Sequence, residues 1–119
     1  MATRQGTQVN DSDGRVNYSW SGLAQATSDV GSAVGTQEFM GNFTAQAVGT
    51  FGAAGAVALQ GSSDGTNWAT LDDAGGTPVS MTASTKIWRL GHVPKFLRPS
   101  VTAGDGTTNL TVNVSGVRL

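Results

Sequence analysis

The chain has 119 residues, no cysteine and a net charge of −1 at pH 7, so it fits one domain in which disulfides and thiolate metal sites are excluded. The near-neutral charge argues against general binding to nucleic acid and against attraction to an acidic membrane. No segment has the apolar core of a secretory signal or approaches the about 18 apolar residues of a membrane span, and we therefore expect a soluble protein made without a signal.

Residues 1–14 predict a flexible polar N-terminal arm that precedes a single domain over residues 15–119. The segment has few aliphatic side chains and ends in Asn10-Asp11-Ser12-Asp13-Gly14. Two outcomes stay open for the arm, because a polar terminus either frays or becomes ordered against a neighbouring subunit. Its Asp-rich end does not match a calcium loop, since Trp20 would stand at the position of the bidentate glutamate, and we interpret it as a turn.

The first predicted strand is Val16 to Trp20, which alternates with period two. Residues 21–31 are ambiguous between a short helix and a loop. No charged side chain occurs from Phe39 to Ser63, and such a run predicts either buried strands or a subunit interface. Within it, Gly52-Ala-Ala-Gly55 predicts a hairpin turn between two long strands. This uncharged run is also the reason to expect a homo-oligomer, with a trimer favoured.

Two Asp-Gly pairs predict short turns in the second half of the chain. Asp64-Gly65 lies within the alternating stretch from Val57 to Leu71, and Asp105-Gly106 lies within the stretch from Val101 to Val114. Asp-Gly between alternating runs is typical of a β-hairpin, because glycine adopts the left-handed conformation that the turn requires. We therefore expect a hairpin at each pair and a positive φ at each glycine.

Between these two turns the sequence predicts a loop over residues 72–78 and short strands over residues 79–82 and 86–90. Pro99 cannot donate a hydrogen bond to a ladder, so it predicts a sheet edge, a bulge or a strand start. The whole pattern gives seven to nine short strands. We expect an all-β fold, in the form of a single-domain β-sandwich or jelly roll.

The residue types give no support for catalysis, and we expect no enzymatic activity, no metal site and no cofactor. His92 is the single histidine, so one chain cannot form a multi-histidine metal site, and no adjacent acid orients it for hydrolysis. The glycine-rich run over residues 49–55 lacks the lysine of a phosphate-binding loop and is interpreted as a turn.

Basic residues are concentrated in residues 86–98, which hold four of the seven in the chain, and no acid occurs between Asp73 and Asp105. They form either the polar face of adjacent strands or a cationic patch that docks against an acidic protein surface. The three tryptophans lie within alternating apolar patterns. Core or interface positions are therefore favoured for Trp20, Trp68 and Trp88 over an exposed platform for carbohydrate.

Four segments carry a resemblance to a known class of proteins: Leu59 to Leu71, Trp88-Arg89, Lys95 to Gly104 and Asn109 to Val114. They resemble small virion proteins of tailed bacteriophages, and above all capsid decoration, or cement, proteins. The resemblance covers residues 55–119 and consists of turn and strand signatures, which also occur in discoidin-like and other sugar-binding sandwiches. It implies a protein that sits on the assembled shell, often as a trimer at a local three-fold axis, and braces adjoining capsid subunits.

The sequence thus predicts a structural virion protein that is made in the host cytoplasm and attached to the outer capsid surface. The implied partner is the major capsid protein, with no role for nucleic acid or membrane. Two alternatives stay open: a carbohydrate-binding β-sandwich module, and another phage component such as a tail or head-fibre protein. The candidate capsid contacts are polar side chains of the arm and the basic group: Arg4, Gln5, Gln8, Lys86, Arg89, Lys95 and Arg98.

Overall fold

The computed structural model describes residues 3–10, 15–24, 29–35, 40–91 and 94–118. Within these ranges the chain forms twelve β-strands and no helix. The strands are β1 (Thr3–Arg4), β2 (Gly6–Asn10), β3 (Arg15–Ala24), β4 (Val30–Gly31), β5 (Val34–Gly35), β6 (Met40–Thr50), β7 (Ala56–Ser62), β8 (Ala69–Thr70), β9 (Ser80–Met81), β10 (Trp88–Arg89), β11 (Phe96–Ala103) and β12 (Asn109–Arg118). The described residues accordingly include no helix of the length and apolar character that crossing a bilayer requires.

The strands form two sheets with the hydrophobic core between them. The seven-stranded sheet has the order β1-β4-β11-β7-β8, with β5 also paired to β11 and β9 also paired to β7. The five-stranded sheet has the order β10-β6-β12-β3-β2. Buried side chains from both sheets form one cluster, so the predicted all-β sandwich is confirmed.

Alternation along the strands decides which side chains enter the core. In β3, Val16, Tyr18 and Trp20 are fully buried and the residues between them are not. This follows from strand geometry, because successive side chains point to opposite faces of a sheet. The buried indole of Trp20 also satisfies its polar atom, since Nε1 donates a 2.8 Å hydrogen bond to the Ser32 carbonyl oxygen.

The uncharged run of residues 39–63 supplies two central strands. Phe39 lies outside the described residues, but β6 and β7 each have neighbouring strands on both sides. Val57 and Leu59 are fully buried, and the other apolar residues of β7 are almost so. The chain's own sheets therefore account for the absence of charge in this run, and the oligomeric state stays a prediction.

Two of the predicted hairpins are wrong. The turn at Gly52 to Gly55 joins β6 to β7, and the turn at Asp105-Gly106 joins β11 to β12, but each pair of strands is divided between the two sheets. Both turns are crossings from one sheet to the other. The local turn signal specifies a reversal of the chain and leaves open which strand the reversed chain pairs with.

The two crossings contact each other at one end of the sandwich. Asp105 Oδ2 accepts a 2.9 Å hydrogen bond from the Ala53 N–H, and the Thr108 hydroxyl donates a 2.7 Å hydrogen bond to the Phe51 carbonyl oxygen. The predicted positive φ at Gly106 is wrong. The glycine with a positive φ at this turn is Gly104, at 150°. Hydrogen bonds close this turn, from the Thr107 N–H to the Asp105 carboxylate and from the Asp105 N–H to the Thr108 hydroxyl, and Gly106 is not required to be left-handed.

The N-terminal segment differs from the expected arm, because residues 3–10 form β1 and β2. β1 pairs in parallel with β4, and β2 pairs antiparallel with β3, with Gly6 opposite Trp20. A Cβ at Gly6 would lie 2.5 Å from Trp20 Nε1, so glycine permits this close approach. A polar segment forms these strands because ladder hydrogen bonds use the backbone and need no apolar side chain. Residues 1, 2 and 11–14, with the predicted Asp-rich turn, lie outside the described residues.

The remaining strand predictions agree with the structure except at Pro99. β9 falls within residues 79–82 and β10 within residues 86–90, while the ambiguous stretch after Trp20 continues β3 to Ala24 and then supplies β4. Pro99 lies inside β11, opposite Leu59, and not at the start of the strand. A proline fits there because the ladder on the other side of β11 is interrupted between its pairs with β4 and β5.

Candidate functional site

A group of polar and aromatic side chains lies on the outer face of the seven-stranded sheet. Arg98 in β11 is opposite Gln60 in β7, and Gln60 is opposite Thr70 in β8, so the three side chains share one face. Phe96 lies two residues before Arg98 and has the same orientation. Trp68 joins them, because the Arg98 guanidinium carbon lies 4.3 Å from the centroid of its ring. We call Gln60, Trp68, Thr70, Phe96 and Arg98 the Trp68 face.

The hairpin that connects β7 to β8 positions Trp68. The Asp64 carboxylate accepts hydrogen bonds from the backbone N–H groups of Thr66 and Asn67, both at 2.8 Å, and from the Asn67 side chain and the Ser62 hydroxyl. These bonds, above all that from the Asn67 N–H, hold the pKa of Asp64 well below its usual range. The loop therefore has a defined shape that is stabilised by its own side chains.

The predicted left-handed glycine of this hairpin is confirmed, since Gly65 has φ 79°. The connection is longer than the predicted tight turn, because β7 ends at Ser62 and β8 begins at Ala69. A Cβ at Gly65 would lie 3.3 Å from the Phe96 ring, so the loop lies directly against that ring. Loop and sheet thus form one continuous surface around Trp68.

Two neighbours hold the Arg98 side chain in place. Its Nε donates a 2.8 Å hydrogen bond to Gln60 Oε1, and its guanidinium lies over the Trp68 ring. Among the described residues the Arg98 side chain forms no other hydrogen bond, so its two terminal amino groups stay available. An arginine of this kind is a rigid fork of donors that needs little further ordering to bind a ligand.

The guanidinium group of Arg98 forms no ion pair with an acidic side chain in the part of the chain that the structure describes. Desolvation by the surrounding protein lowers the pKa of Arg98. The group nevertheless stays protonated at neutral pH, because a guanidinium ionises only at strongly basic pH. The Trp68 face therefore presents a partly desolvated, uncompensated cation.

The three tryptophans occupy different environments. Trp20 and Trp88 are 0% and 8% exposed and belong to the core, as predicted. Trp68 is partly exposed and lies outside the buried cluster. The hairpin brings Trp68 to the surface because its loop places the residue before β8 on the outer side of the sheet, and alternation within the sequence does not reveal this.

The predicted contact residues lie in three places. Lys86 and Arg89 are exposed at the β10 edge of the five-stranded sheet, whereas Lys95 directly precedes β11 of the other sheet and Arg98 lies within it. The basic group is therefore divided between two sheets. Arg4, Gln5 and Gln8 lie in or between β1 and β2, which are edge strands, and Arg4 Nε binds the buried carboxylate of Asp29. A capsid-contacting role for these residues stays a prediction.

A cavity of about 370 Å³ lies beside the Trp68 face, on the same hairpin. Its lining combines the polar side chains of Ser63, Asn67 and Thr70 with the apolar side chains of Leu71 and Pro94. Thr70 belongs to both the cavity and the Trp68 face. Among the described residues no group of three or more histidine, cysteine, aspartate or glutamate side chains is arranged to hold a metal ion, and His92 lies outside them.

Sequence reasoning missed Gln60, Thr70 and Phe96 as members of this face. The available signal was alternation: Leu97, Pro99 and Val101 of β11 are buried, so Phe96 and Arg98 must point outward. Gln60 stands out as the long polar side chain within the otherwise apolar or small β7. The pairing of β11 with β7 is the additional fact that brings these outward residues together.

No protein-family model matches this chain, and no curated protein matches it significantly. The function is therefore inferred from the geometry of the Trp68 face and from the sequence resemblance.

Proposed function

We propose that this protein is a non-enzymatic structural virion protein that binds the outer surface of an assembled phage capsid and stabilises the shell. In this proposal the Trp68 face contacts the major capsid protein. The proposal rests on one structural observation, the presence of a tryptophan, a phenylalanine and a restrained arginine on one rigid sheet face. Tryptophan and arginine are the residue types that most often dominate the binding energy of protein interfaces.

The rigidity of the face supports a binding role. The sheet holds Gln60 and Arg98, and the hydrogen-bonded hairpin holds Trp68, so little side-chain freedom remains to be lost when a partner binds. We further propose that the protein attaches as a homotrimer. Several modest contacts made by one trimer give durable attachment, because each later contact forms at a high effective concentration.

The test is co-sedimentation with empty shells assembled from the major capsid protein encoded in the same genome. The wild-type protein should bind to a saturating stoichiometry, and Trp68→Ala should bind at least about 10-fold more weakly if Trp68 is a hot spot. Ile87→Ala is the matched control, because Ile87 is 63% exposed beside the edge strand of the other sheet and should be replaceable. Failure of the wild type to co-sediment would remove the proposal.

The trimer is tested separately by light-scattering mass of the purified protein and by its stoichiometry on the shell. A protein that is monomeric in solution and also binds the shell as isolated monomers contradicts the trimer but leaves attachment intact.

A carbohydrate-binding module is the second candidate, favoured by the partly exposed indole of Trp68 beside a cavity with hydroxyl and amide groups. Sugar rings stack on exposed aromatic faces, and Ser63, Asn67 and Thr70 offer hydrogen bonds at the same place. A glycan-binding screen separates the candidates: saturable binding of a glycan that Trp68→Ala abolishes, together with no binding to shells, selects the carbohydrate module.

A further inference from the structure

We infer that Arg98 is the anchor of an acid-recognition site: its guanidinium group binds an aspartate or glutamate carboxylate that a partner protein presents to the Trp68 face. The inference deepens the proposed function, on which it rests for the partner's identity, by stating the chemistry of the partner surface.

Hydrogen-bond geometry is the first support for this inference. Gln60 Oε1 accepts the bond from Arg98 Nε, which leaves the two terminal amino groups of the guanidinium as parallel donors. Two parallel donors match the two oxygens of a carboxylate, and such bidentate pairs are among the stronger hydrogen bonds in proteins. Because Gln60 uses its oxygen toward Arg98, its amide nitrogen remains as a further donor on the same face.

Charge is the second support. The Arg98 guanidinium is partly desolvated by the protein and forms no ion pair within the described residues. Trp68 keeps it in place through its ring, at 4.3 Å, without neutralising it. Part of the cost of desolvating this cation is thus already incurred in the free protein, which lowers the remaining cost when a carboxylate approaches.

The shape of the surface favours an acid carried by a protein over a small acidic ligand. The neighbouring cavity is lined by hairpin residues and Pro94, and Arg98 does not line it. Small ligands are bound mainly in concave sites that enclose most of their surface. Arg98 lies on the outer face of the sheet, next to the Trp68 ring and on the same side of β11 as Phe96. A second protein surface can reach it there directly.

The test uses NMR, with the indole N–H signals of the three tryptophans as reporters. The probe is a hexaglutamate peptide, and a hexaserine peptide is the neutral control. We expect hexaglutamate to shift the Trp68 signal saturably at low salt and less at high salt, because salt screens exposed charges. The Trp20 signal should not move, since its ring is fully buried. Trp88 is not a reference for the acidic peptide, because the Lys86 ammonium lies 3.8 Å from the centroid of its ring. Hexaserine should shift none of the three.

Substitutions identify the group responsible. Arg98→Gln should abolish the shift, and Arg98→Lys should weaken binding by about 3- to 10-fold, because lysine keeps the charge and loses the fork. Arg15→Gln is the matched control, since Arg15 is an exposed arginine on β3 of the other sheet and should leave binding unchanged. Unaltered Trp20 and Trp88 signals establish that each variant is folded.

Three results would overturn the inference: no effect of hexaglutamate on Trp68, equal binding by Arg98→Gln and wild type, or binding of polygalacturonate without binding of hexaglutamate, which points to an acidic glycan. The shell experiment separates this inference from the proposed function. If the wild-type protein binds hexaglutamate but not shells, the proposal of capsid attachment is rejected and the acid-recognition site is retained. If Arg98→Gln protein binds shells as well as the wild type, capsid attachment stands and does not use a carboxylate bound to Arg98.

Discussion

Arg4 Nε donates a 2.5 Å hydrogen bond to Oδ2 of Asp29, a residue that is 0% exposed. The same carboxylate oxygen accepts a 3.0 Å hydrogen bond from the N–H of Ala24, the last residue of β3. β1 and β3 belong to different sheets, so one buried carboxylate links the edge strand of the first sheet to a strand of the second. The polar N-terminal segment is therefore part of the folded domain.

The substitution Arg4→Gln should lower the free energy of unfolding by about 1.5–3 kcal/mol, because it removes a hydrogen bond between charged groups at a buried carboxylate. Arg89→Gln should change stability by less than about 0.5 kcal/mol, because Arg89 in β10 is exposed and its side chain forms no ion pair with another described residue. Chemical denaturation measures both. Equal midpoints for Arg4→Gln and wild type would show that the contact between Arg4 and Asp29 contributes nothing to stability.

The two Asp-Gly turns should respond differently to alanine. Gly65→Ala should cost about 1–3 kcal/mol, because φ 79° is unfavourable for a residue with a Cβ. Gly106→Ala should cost less than about 0.5 kcal/mol, because Gly106 has no positive φ and a methyl group added there would meet no other atom within 4 Å. Denaturant midpoints decide, and a larger loss at Gly106 than at Gly65 would contradict the assigned turn geometries.

Trp20 and Trp68 should differ in their contribution to stability. Trp20→Ala should lower the free energy of unfolding by about 3–5 kcal/mol, because it empties a fully buried site and leaves the Ser32 carbonyl without its donor. Trp68→Ala should cost about 1–2 kcal/mol, since the ring is partly exposed and outside the core. Thermal and denaturant unfolding measure both. A loss at Trp68 as large as that at Trp20 would mean that Trp68 belongs to the core.

Stability should fall in acid through the two turn carboxylates. Hydrogen bonds, first that from the Thr107 hydroxyl, lower the pKa of Asp105 to about 2, and the hairpin lowers the pKa of Asp64 further. Both folded-state values lie below the unfolded value of about 3.9, so their stabilisation is present above about pH 4 and is lost as pH falls toward about 2. The double variant Asp64→Asn, Asp105→Asn should therefore show a shallower decline of the denaturant midpoint over this range. An unchanged decline would contradict this assignment.

The sequence predicted the positions of turns more reliably than the pairing of the strands that they connect. Asp64-Gly65 forms the expected hairpin, because β7 and β8 are adjacent in one sheet. Asp105-Gly106 has the same dipeptide but joins strands of different sheets. A turn dipeptide acts over a few residues, whereas strand pairing is decided by which arrangement buries the most apolar surface in the whole chain.

The sequence by itself determined the all-β class and the inward positions of β3, because period-two alternation is a property of each strand alone. The tertiary structure alone decided that residues 3–10 complete both sheets and that Arg98 lies over Trp68. Trp68 and Arg98 meet because β11 and β8 both flank β7, which aligns outward side chains from distant segments. The hydrophobic pattern and the turn geometry set the register within a hairpin, whereas the pairing of strands that are distant in sequence, such as β7 with β11, is decided by packing in the whole domain.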